Sequence, residues 1–222
     1  MRDLQLSPLT DLAVLGPNAG YSAVRKGSEL AQRYEVASLC VKPCDVNLAV
    51  DFLAQSPVMV STVIGFPHGG TTTRVKSEEL DEALEYGCQE FDVVMNIGRF
   101  LEKRQRNVFE ELRHLCKIAY PHAVKVILET GYLNNDQIAK ACRISEEAGA
   151  MYVKTSTGFG PRGATEDDIR IMQQSCGLHV KASGRIRTRE QAQRFADIGC
   201  KRLGFGYKAA ITILENSRLG LP

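Results

Sequence analysis

Two lysines stand inside short apolar runs, where a positive charge is unfavourable unless the protein uses it. Lys154 lies in "YVKTST" and Lys181 lies in "HVKASG", at the same phase of two consecutive β-branched segments. In a buried strand, desolvation lowers the pKa of Lys154, and a neighbouring cation such as Lys181 lowers it further. A neutral ε-amine is a nucleophile that condenses with a carbonyl group to form a Schiff base. The alternatives are that Lys154 extends to solvent at the rim, or that each lysine pairs separately with an acid.

A third segment of the same kind, "EFDVVMNIG", carries an acid. Asp92, Val94 and Asn96 share one face of this segment if it is a strand. A carboxylate beside the lysines can move protons with the help of a water, as imine chemistry requires. It can also serve as the counter-ion of Lys154 or Lys181, and the two roles are compatible.

The segments that must position these side chains follow a βα repeat. Short β-branched runs alternate along the chain with amphipathic segments of helical period. The pattern predicts eight strands, over residues 9–15, 37–42, 58–66, 90–97, 123–130, 151–156, 178–183 and 201–206.

Helices are predicted between these strands, most clearly over 73–87 and 135–149. Gly87, Gly149 and Gly199 each follow a helical pattern at the position where a left-handed C-cap is needed. The predicted N-caps are Asn134 or Asn135, and Thr165.

Two architectures fit such a repeat, a closed (β/α)8 barrel and an open doubly wound sheet. The even spacing of eight strands favours the barrel, as does the absence of a glycine-rich fingerprint after the first strand. We therefore predict an α/β fold, a (β/α)8 TIM barrel formed by a single domain over residues 1–222. In such a barrel the carboxyl ends of the strands carry the chemistry.

The composition excludes several functional classes. A net charge of +2 on 222 residues is too small for an electrostatic nucleic-acid binder. The sequence has no apolar stretch approaching the ~18–20 residues of a membrane span, and the N-terminus lacks the pattern of a signal peptide. Seven cysteines, an odd number, indicate reduced thiols and a cytoplasmic location. Neither "CVKPC" nor the four histidines have metal-ligand spacing, so we expect no metal.

Five motifs resemble those of the deoxyribose-phosphate aldolase family: "LCVKPCDV", "STVIGFPHGGTTT", "FDVVMNIG", "YVKTSTGFG" and "VKASGRIRT". They occur in the family's order, and the resemblance runs from about residue 9 to 210. It implies that Lys154 forms the Schiff base, that Asp92 relays protons and that Lys181 tunes Lys154. It also implies that Asp11 helps to order the relay. The implied reaction is the reversible cleavage of 2-deoxyribose 5-phosphate to acetaldehyde and glyceraldehyde 3-phosphate, without a metal or cofactor.

Several positions depart from the family pattern, and two of the departures lie in the loops that form its phosphate site. The family's "SGG" is "SGR" here, with Arg185 in place of the second glycine. Its "GTSSG" is replaced within "GFGYKAA", so that Gly206 and Tyr207 replace the serine pair and Lys208 follows. The resemblance predicts substrate contacts from Asp11, Cys40, Thr155, Ser183, Gly184, Arg185, Gly206, Tyr207 and Lys208.

These departures leave several interpretations open. Arg185 and Lys208 can bind a phosphate through side-chain charge, and Arg185 can equally favour a carboxylate. Arg185 and Tyr207 can instead fill the pocket and exclude phosphate, or Arg185 can point outward and pair with a surface acid. The expected partner is a small sugar phosphate or aldehyde, and a homodimer is possible.

Two further functional hypotheses remain. The first is an aldolase of the same mechanism that acts on a different or unphosphorylated aldehyde. The second is a barrel that has lost turnover and binds a small metabolite or a protein partner. Two buried lysines and an acid are costly to desolvate, which argues against the second hypothesis.

Overall fold

The computed structural model describes residues 6–215, and these form a closed barrel of eight parallel strands in chain order. The TIM-barrel prediction is confirmed, and each predicted strand is present with somewhat shorter bounds. The strands are β1 Thr10–Val14, β2 Ser38–Val41, β3 Met59–Ile64, β4 Glu90–Val94, β5 Ala123–Ile127, β6 Tyr152–Lys154, β7 His179–Ser183 and β8 Arg202–Gly206. The ends of the predicted domain, residues 1–5 and 216–222, lie outside the described residues.

Helices connect the strands on the outside of the barrel. They are α1 Tyr21–Tyr34, α2 Val46–Leu53, α3 Thr73–Glu85, α4 Ile97–Leu101, α5 Gln105–Ala119, α6 Asn135–Glu147, α7 Glu166–Ser175, α8 Arg189–Asp197 and α9 Ala210–Leu214. Short 3-10 turns cover Ser7–Leu9, Pro43–Asp45, Thr130–Tyr132 and Tyr207–Ala209. In the part of the chain that the structure describes, no helix combines the length and apolar character needed to cross a membrane.

Local signals fix where several helices begin and end. Asn134 forms a capping box with Gln137 at the start of α6, and the Thr165 side chain accepts a hydrogen bond from the Asp168 N–H at the start of α7. A capping side chain satisfies a backbone N–H that has no partner within the helix. The predicted caps at Thr165 and Asn134 are therefore confirmed. Gly87, Gly149 and Gly199 adopt φ values of 88°, 92° and 97°, as predicted.

Alternation along the strands divides the side chains between two environments. Residues such as Leu12, Phe91 and Val153 point outward into the apolar layer against the helices, and each is fully buried. Burial of one such side chain stabilises the fold by roughly 1.5–3 kcal/mol. The residues between them, such as Asp92 and Lys154, point into the barrel. The apolar layer thus holds the strands, and the interior is left for polar groups.

Candidate active site

The two lysines singled out in the sequence lie side by side. Lys154 and Lys181 are register partners on β6 and β7. Their Nζ atoms donate hydrogen bonds to the same oxygen, Oδ2 of Asp92, at 2.6 and 2.7 Å. All three side chains are buried. The predicted proximity of the two lysines is confirmed, and the acid of β4 is the counter-ion of both.

Asn96 does not join this group. The residue lies beyond the end of β4, where its Oδ1 accepts a hydrogen bond from the Arg99 N–H at 3.0 Å and caps α4. The expected common face of Asp92 and Asn96 is wrong, because the strand ends at Val94 and the alternation ends with it.

Asp11 on β1 completes the contacts of Lys181. Its Oδ2 atom lies 2.6 Å from Lys181 Nζ, and its Oδ1 atom accepts a hydrogen bond from the Ser38 hydroxyl at 2.8 Å. Lys181 is therefore held between two carboxylates, those of Asp11 and Asp92, whereas the hydrogen bond of Lys154 goes to Asp92 alone.

A third lysine inside the barrel, Lys125, and its partners were not identified from the sequence. Lys125 on β5 donates a hydrogen bond to Glu90 at 2.5 Å and lies 3.5 Å from Asp11 and Asp92. Arg202 on β8 contacts Glu90 at 3.1 Å and Asp11 at 3.3 Å. The sequence does contain a pattern that indicates this lysine, because "AVKVI" places a lysine after a valine in an apolar run, as "YVKTS" and "HVKAS" do.

The buried charges balance only if one base is neutral. Four bases face three acids in this network, namely Lys125, Lys154, Lys181 and Arg202 against Asp11, Glu90 and Asp92. An uncompensated charge in a dry interior is unfavourable. The network therefore favours one amine in its uncharged form.

Of the three lysines in this network, Lys154 is the one whose pKa is lowered. Burial lowers the pKa of Lys154, and repulsion from Lys181 lowers it further. Attraction to Asp92 raises the pKa, but it remains below its usual value. Burial alone would also lower the pKa of Lys181, but Asp11 and Asp92 raise it above its usual value. The same balance of burial against Asp11 and Asp92 raises the pKa of Lys125. A neighbouring amine that remains protonated disfavours a second positive charge, and so disfavours protonation of Lys154.

The two central carboxylates stay ionised. Burial alone would raise the pKa of Asp11, but Lys125, Lys181 and Arg202 lower it to about 2. Burial likewise opposes ionisation of Asp92, and the three lysines hold its pKa well below its usual range. An ionised Asp92 is a hydrogen-bond acceptor and can receive a proton during catalysis.

A cavity of about 600 Å³ opens above Lys154. Its floor is formed by Asp11, Cys40, Asp92, Lys154 and Lys181. Burial and the charge of Asp92 raise the pKa of the Cys40 thiol, which keeps that thiol protonated. One end of the cavity is lined by Ser183, Gly184, Arg185, Arg187, Gly206, Tyr207 and Lys208.

Thr155 is the predicted contact residue that does not line this cavity. It is fully buried, and its hydroxyl donates to the Ser183 carbonyl and accepts from the Ser183 N–H, both at 2.9 Å. Both hydrogen bonds tie β6 to β7. The side chain therefore aligns the strands that carry Lys154 and Lys181.

Arg185 lies at the rim in a conformation that favours glycine. Its φ is 59°, following Gly184 with φ 90°. The left-handed region is unfavourable for a residue with a Cβ atom. Its guanidinium donates a hydrogen bond to the Gly160 carbonyl at 3.0 Å and lines the cavity, so the interpretation in which Arg185 turns away to the barrel surface is wrong.

The end of the cavity around Arg185 is positively charged. Arg185, Arg187 and Lys208 line it and are exposed to solvent, and Arg187 was not identified from the sequence. Among residues 6–215, the acids that line the cavity are Asp11 and Asp92, both on the floor and both paired with lysines. This end can therefore attract an anionic group.

A TIM barrel with a buried lysine, an acid and an open cavity at the carboxyl ends of its strands is typical of barrel aldolases. Comparison with known proteins gives the family: residues 9–199 match the DeoC/LacD family aldolase. The chain belongs to this family, and it is an aldolase.

Similar proteins match over nearly their whole length. A protein named deoxyribose-phosphate aldolase from Caldanaerobacter subterraneus subsp. tengcongensis is 41% identical over 217 residues, covering 96% of this chain and 93% of the relative. Its counterpart from Treponema denticola is 40% identical and covers 94% of this chain and 98% of the relative. Among solved structures, "QR15, an Aldolase" superposes with a TM-score of 0.91 at 37% identity, covering 96% of each chain. A putative deoxyribose-phosphate aldolase from Coccidioides immitis gives 0.93 at 37% identity, covering 97% of this chain and 86% of that one.

Proposed function

We propose that this aldolase works through a Schiff base on Lys154 and reversibly cleaves 2-deoxyribose 5-phosphate to acetaldehyde and glyceraldehyde 3-phosphate. The observation that carries the proposal is the buried amine of Lys154, its pKa lowered, on the floor of an open cavity beside Asp92 and Lys181. The substrate is that named for the relatives about 40% identical to this chain.

The reaction begins when the neutral Lys154 amine attacks C1 of the open-chain sugar. The carbinolamine loses water and becomes a protonated imine, which accepts electrons. A base removes the proton from the C3 hydroxyl, the C2–C3 bond breaks, and its electron pair passes into the enamine on Lys154. Glyceraldehyde 3-phosphate leaves. Protonation of the enamine at C2 and hydrolysis of the resulting imine then release acetaldehyde and regenerate the amine.

Asp92 is suited to moving the protons in these steps. Its Oδ2 atom lies 2.6 Å from Lys154 Nζ, within the range required of an acid–base group. Its ionised form can take a proton from the carbinolamine nitrogen, directly or through a water, and return it later. Lys181 and Asp11 act on Asp92 and Lys154 through charge, and Cys40 and Ser183 border the space available to the substrate.

The phosphate is proposed to lie at the positive end of the cavity. Arg185 and Lys208 supply charges there, and the backbone around Gly184, Gly206 and Tyr207 borders the same space. A guanidinium offers two parallel donors that match a phosphate. Side-chain charge would then replace part of the serine-rich loop of the family.

A second candidate substrate is an aldehyde without the phosphate. The observation in its favour is the same set of rim residues, because Tyr207 and Arg185 occupy space where the family has small residues. The two candidates are separated by kcat/KM for 2-deoxyribose with and without its 5-phosphate. A preference for the phosphorylated sugar supports the first candidate, and equal values or a reversed preference support the second.

The Schiff base itself is tested by chemical trapping. Borohydride added with acetaldehyde should reduce the imine and leave a stable adduct on Lys154, located by peptide mass spectrometry. An adduct on another residue, or none, would contradict the mechanism. Trapping without turnover of either sugar would favour a barrel that binds a metabolite but has lost catalysis.

A cytoplasmic location and a homodimer remain predictions. A solved relative at 29% identity and a TM-score of 0.88, from Aeropyrum pernix, is described as having a tetrameric structure. Sedimentation of the purified chain would give its own oligomeric state.

A further inference from the structure

A buried acid outside the cavity lining, Glu129, contacts the loop that follows the Lys154 strand. Glu129 comes shortly after β5 and is 2% exposed. Its φ is 53°, in the left-handed region that is unfavourable for a residue with a Cβ atom. A buried carboxyl group in an unfavourable backbone conformation requires compensation from its surroundings.

The compensation comes from the loop over residues 155–165. Glu129 Oε2 accepts a hydrogen bond from the Thr157 N–H at 3.0 Å and a second, short one from the Thr157 hydroxyl. The same hydroxyl accepts from the Phe159 N–H at 3.0 Å. Gly160 closes this turn against the carboxylate, because a Cβ atom there would lie 2.7 Å from Glu129 Cδ and Oε1. The first half of the loop is therefore folded around Glu129.

The second half of the loop is attached to the next residue, Thr130. Arg162 donates a hydrogen bond to the Thr130 carbonyl at 3.0 Å and another to Asp168 at 2.9 Å. The Thr130 hydroxyl donates to Asp168 at 3.0 Å. Both halves of the loop are thus held by hydrogen bonds and contacts to the two consecutive residues Glu129 and Thr130.

This loop also sets the position of Arg185. The Gly160 carbonyl, held by the turn around Glu129, accepts the hydrogen bond from the Arg185 guanidinium at 3.0 Å. Gly163 packs so closely that a Cβ atom would lie 2.1 Å from the Gly184 carbonyl oxygen. A continuous set of contacts therefore runs from Glu129 through Gly160 to the positive end of the cavity.

We propose that Glu129 is a positioning residue that selects the anionic tail of the substrate by holding the loop and, through it, Arg185. The inference rests on the proposed function, since it assigns Glu129 to recognition of the 5-phosphate. Glu129 does not line the cavity and makes its contacts with the loop, so it should leave imine formation on Lys154 intact.

The test is Glu129→Gln, which keeps the shape of the side chain and removes its charge. The matched control is Glu111→Gln. Glu111 is also a buried acid, and it accepts hydrogen bonds from a threonine and a lysine. Glu111 lies on α5, away from the cavity lining. For each protein, kcat and KM are measured on 2-deoxyribose with and without the 5-phosphate, and acetaldehyde trapping is measured on Lys154.

Glu129→Gln should raise KM for the phosphorylated sugar about tenfold, because a charge-assisted hydrogen bond to the loop is weakened. The unphosphorylated sugar and the trapping should be little changed, and Glu111→Gln should not shift the preference. In an Arg185→Gly background, Glu129→Gln should have no further effect on the preference, since the two residues act in one series of contacts.

Equal losses on both sugars, or a full effect of Glu129→Gln without Arg185, would overturn the inference. If Glu129→Gln does not fold, Thr157→Val removes the hydroxyl partner and must reproduce the shift in preference. Failure of wild-type trapping at Lys154 is a different result and would contradict the proposed function instead.

Discussion

The floor of the cavity and its positive rim hold their charges in opposite ways. On the floor, the carboxylates and amines are buried and bonded to one another, so that removal of one group leaves another uncompensated. At the rim, Arg185, Arg187 and Lys208 are exposed, and water can replace any contact they lose. The floor keeps the lysines and acids of the motifs that resemble the family, whereas the rim loops depart from those motifs. The residues of a buried charge network are difficult to replace one at a time, because each loss leaves a partner unpaired. Exposed charges can be replaced at little cost to stability, so substrate specificity can change at the rim.

The largest expected effect is on the floor, at Lys154. Lys154→Met should lower kcat by at least about 10³-fold and abolish trapping, because the proposed nucleophile is removed. Its free energy of unfolding should change less than that of Lys181→Met, since a neutral amine is replaced by a neutral side chain. Urea unfolding of the two variants compares them directly. Substantial turnover by Lys154→Met, or greater destabilisation than in Lys181→Met, would refute the assignment of Lys154 as the neutral base.

Lys181→Met should shift the pH dependence. Loss of the cation leaves Asp11 and Asp92 uncompensated, which favours the ammonium form of Lys154 and raises the pKa of that lysine. The amine is then available only at higher pH, so the kcat/KM profile should move by about one unit to the alkaline side. The fold should lose about 3–5 kcal/mol of stability. An unchanged profile in a folded variant would show that Lys181 does not tune Lys154.

At the rim, Arg185→Gly should have a smaller effect on catalysis and the opposite effect on stability. Glycine adopts φ of 59° without strain, so the variant should gain about 1 kcal/mol of stability. KM for 2-deoxyribose 5-phosphate should rise about tenfold if the guanidinium binds the phosphate group. A fall in KM would mean that Arg185 obstructs the site. Arg185→Asn, which tolerates the same backbone conformation, separates loss of charge from relief of strain.

The smallest effect is expected at Lys208. Its ammonium is exposed and screened, so Lys208→Ala should raise KM for the 5-phosphate only about threefold, and less at high salt. Lys201→Ala is the matched control, because Lys201 is an exposed lysine at the opposite end of β8. A change in KM equal in both variants would show that net charge, and not the rim site, attracts the substrate.

Local patterns in the sequence determined most of the fold. The βα repeat, the eight strands and caps such as Thr165 depend on periodicity and on side chains within a few residues of each other. The position of Lys154 beside Lys181 also followed, because both stand at the same phase of neighbouring strands.

The tertiary structure alone decided which side chains meet inside the closed barrel. Lys125, Glu90 and Arg202 come from three separate strands, and their contact depends on the stagger with which the barrel closes. The left-handed backbone of Arg185 and Glu129, and the use of Thr155 between strands, likewise depend on loops packed against each other. Alternation in one strand gives the face of a residue. The neighbours that set its charge come from elsewhere in the chain.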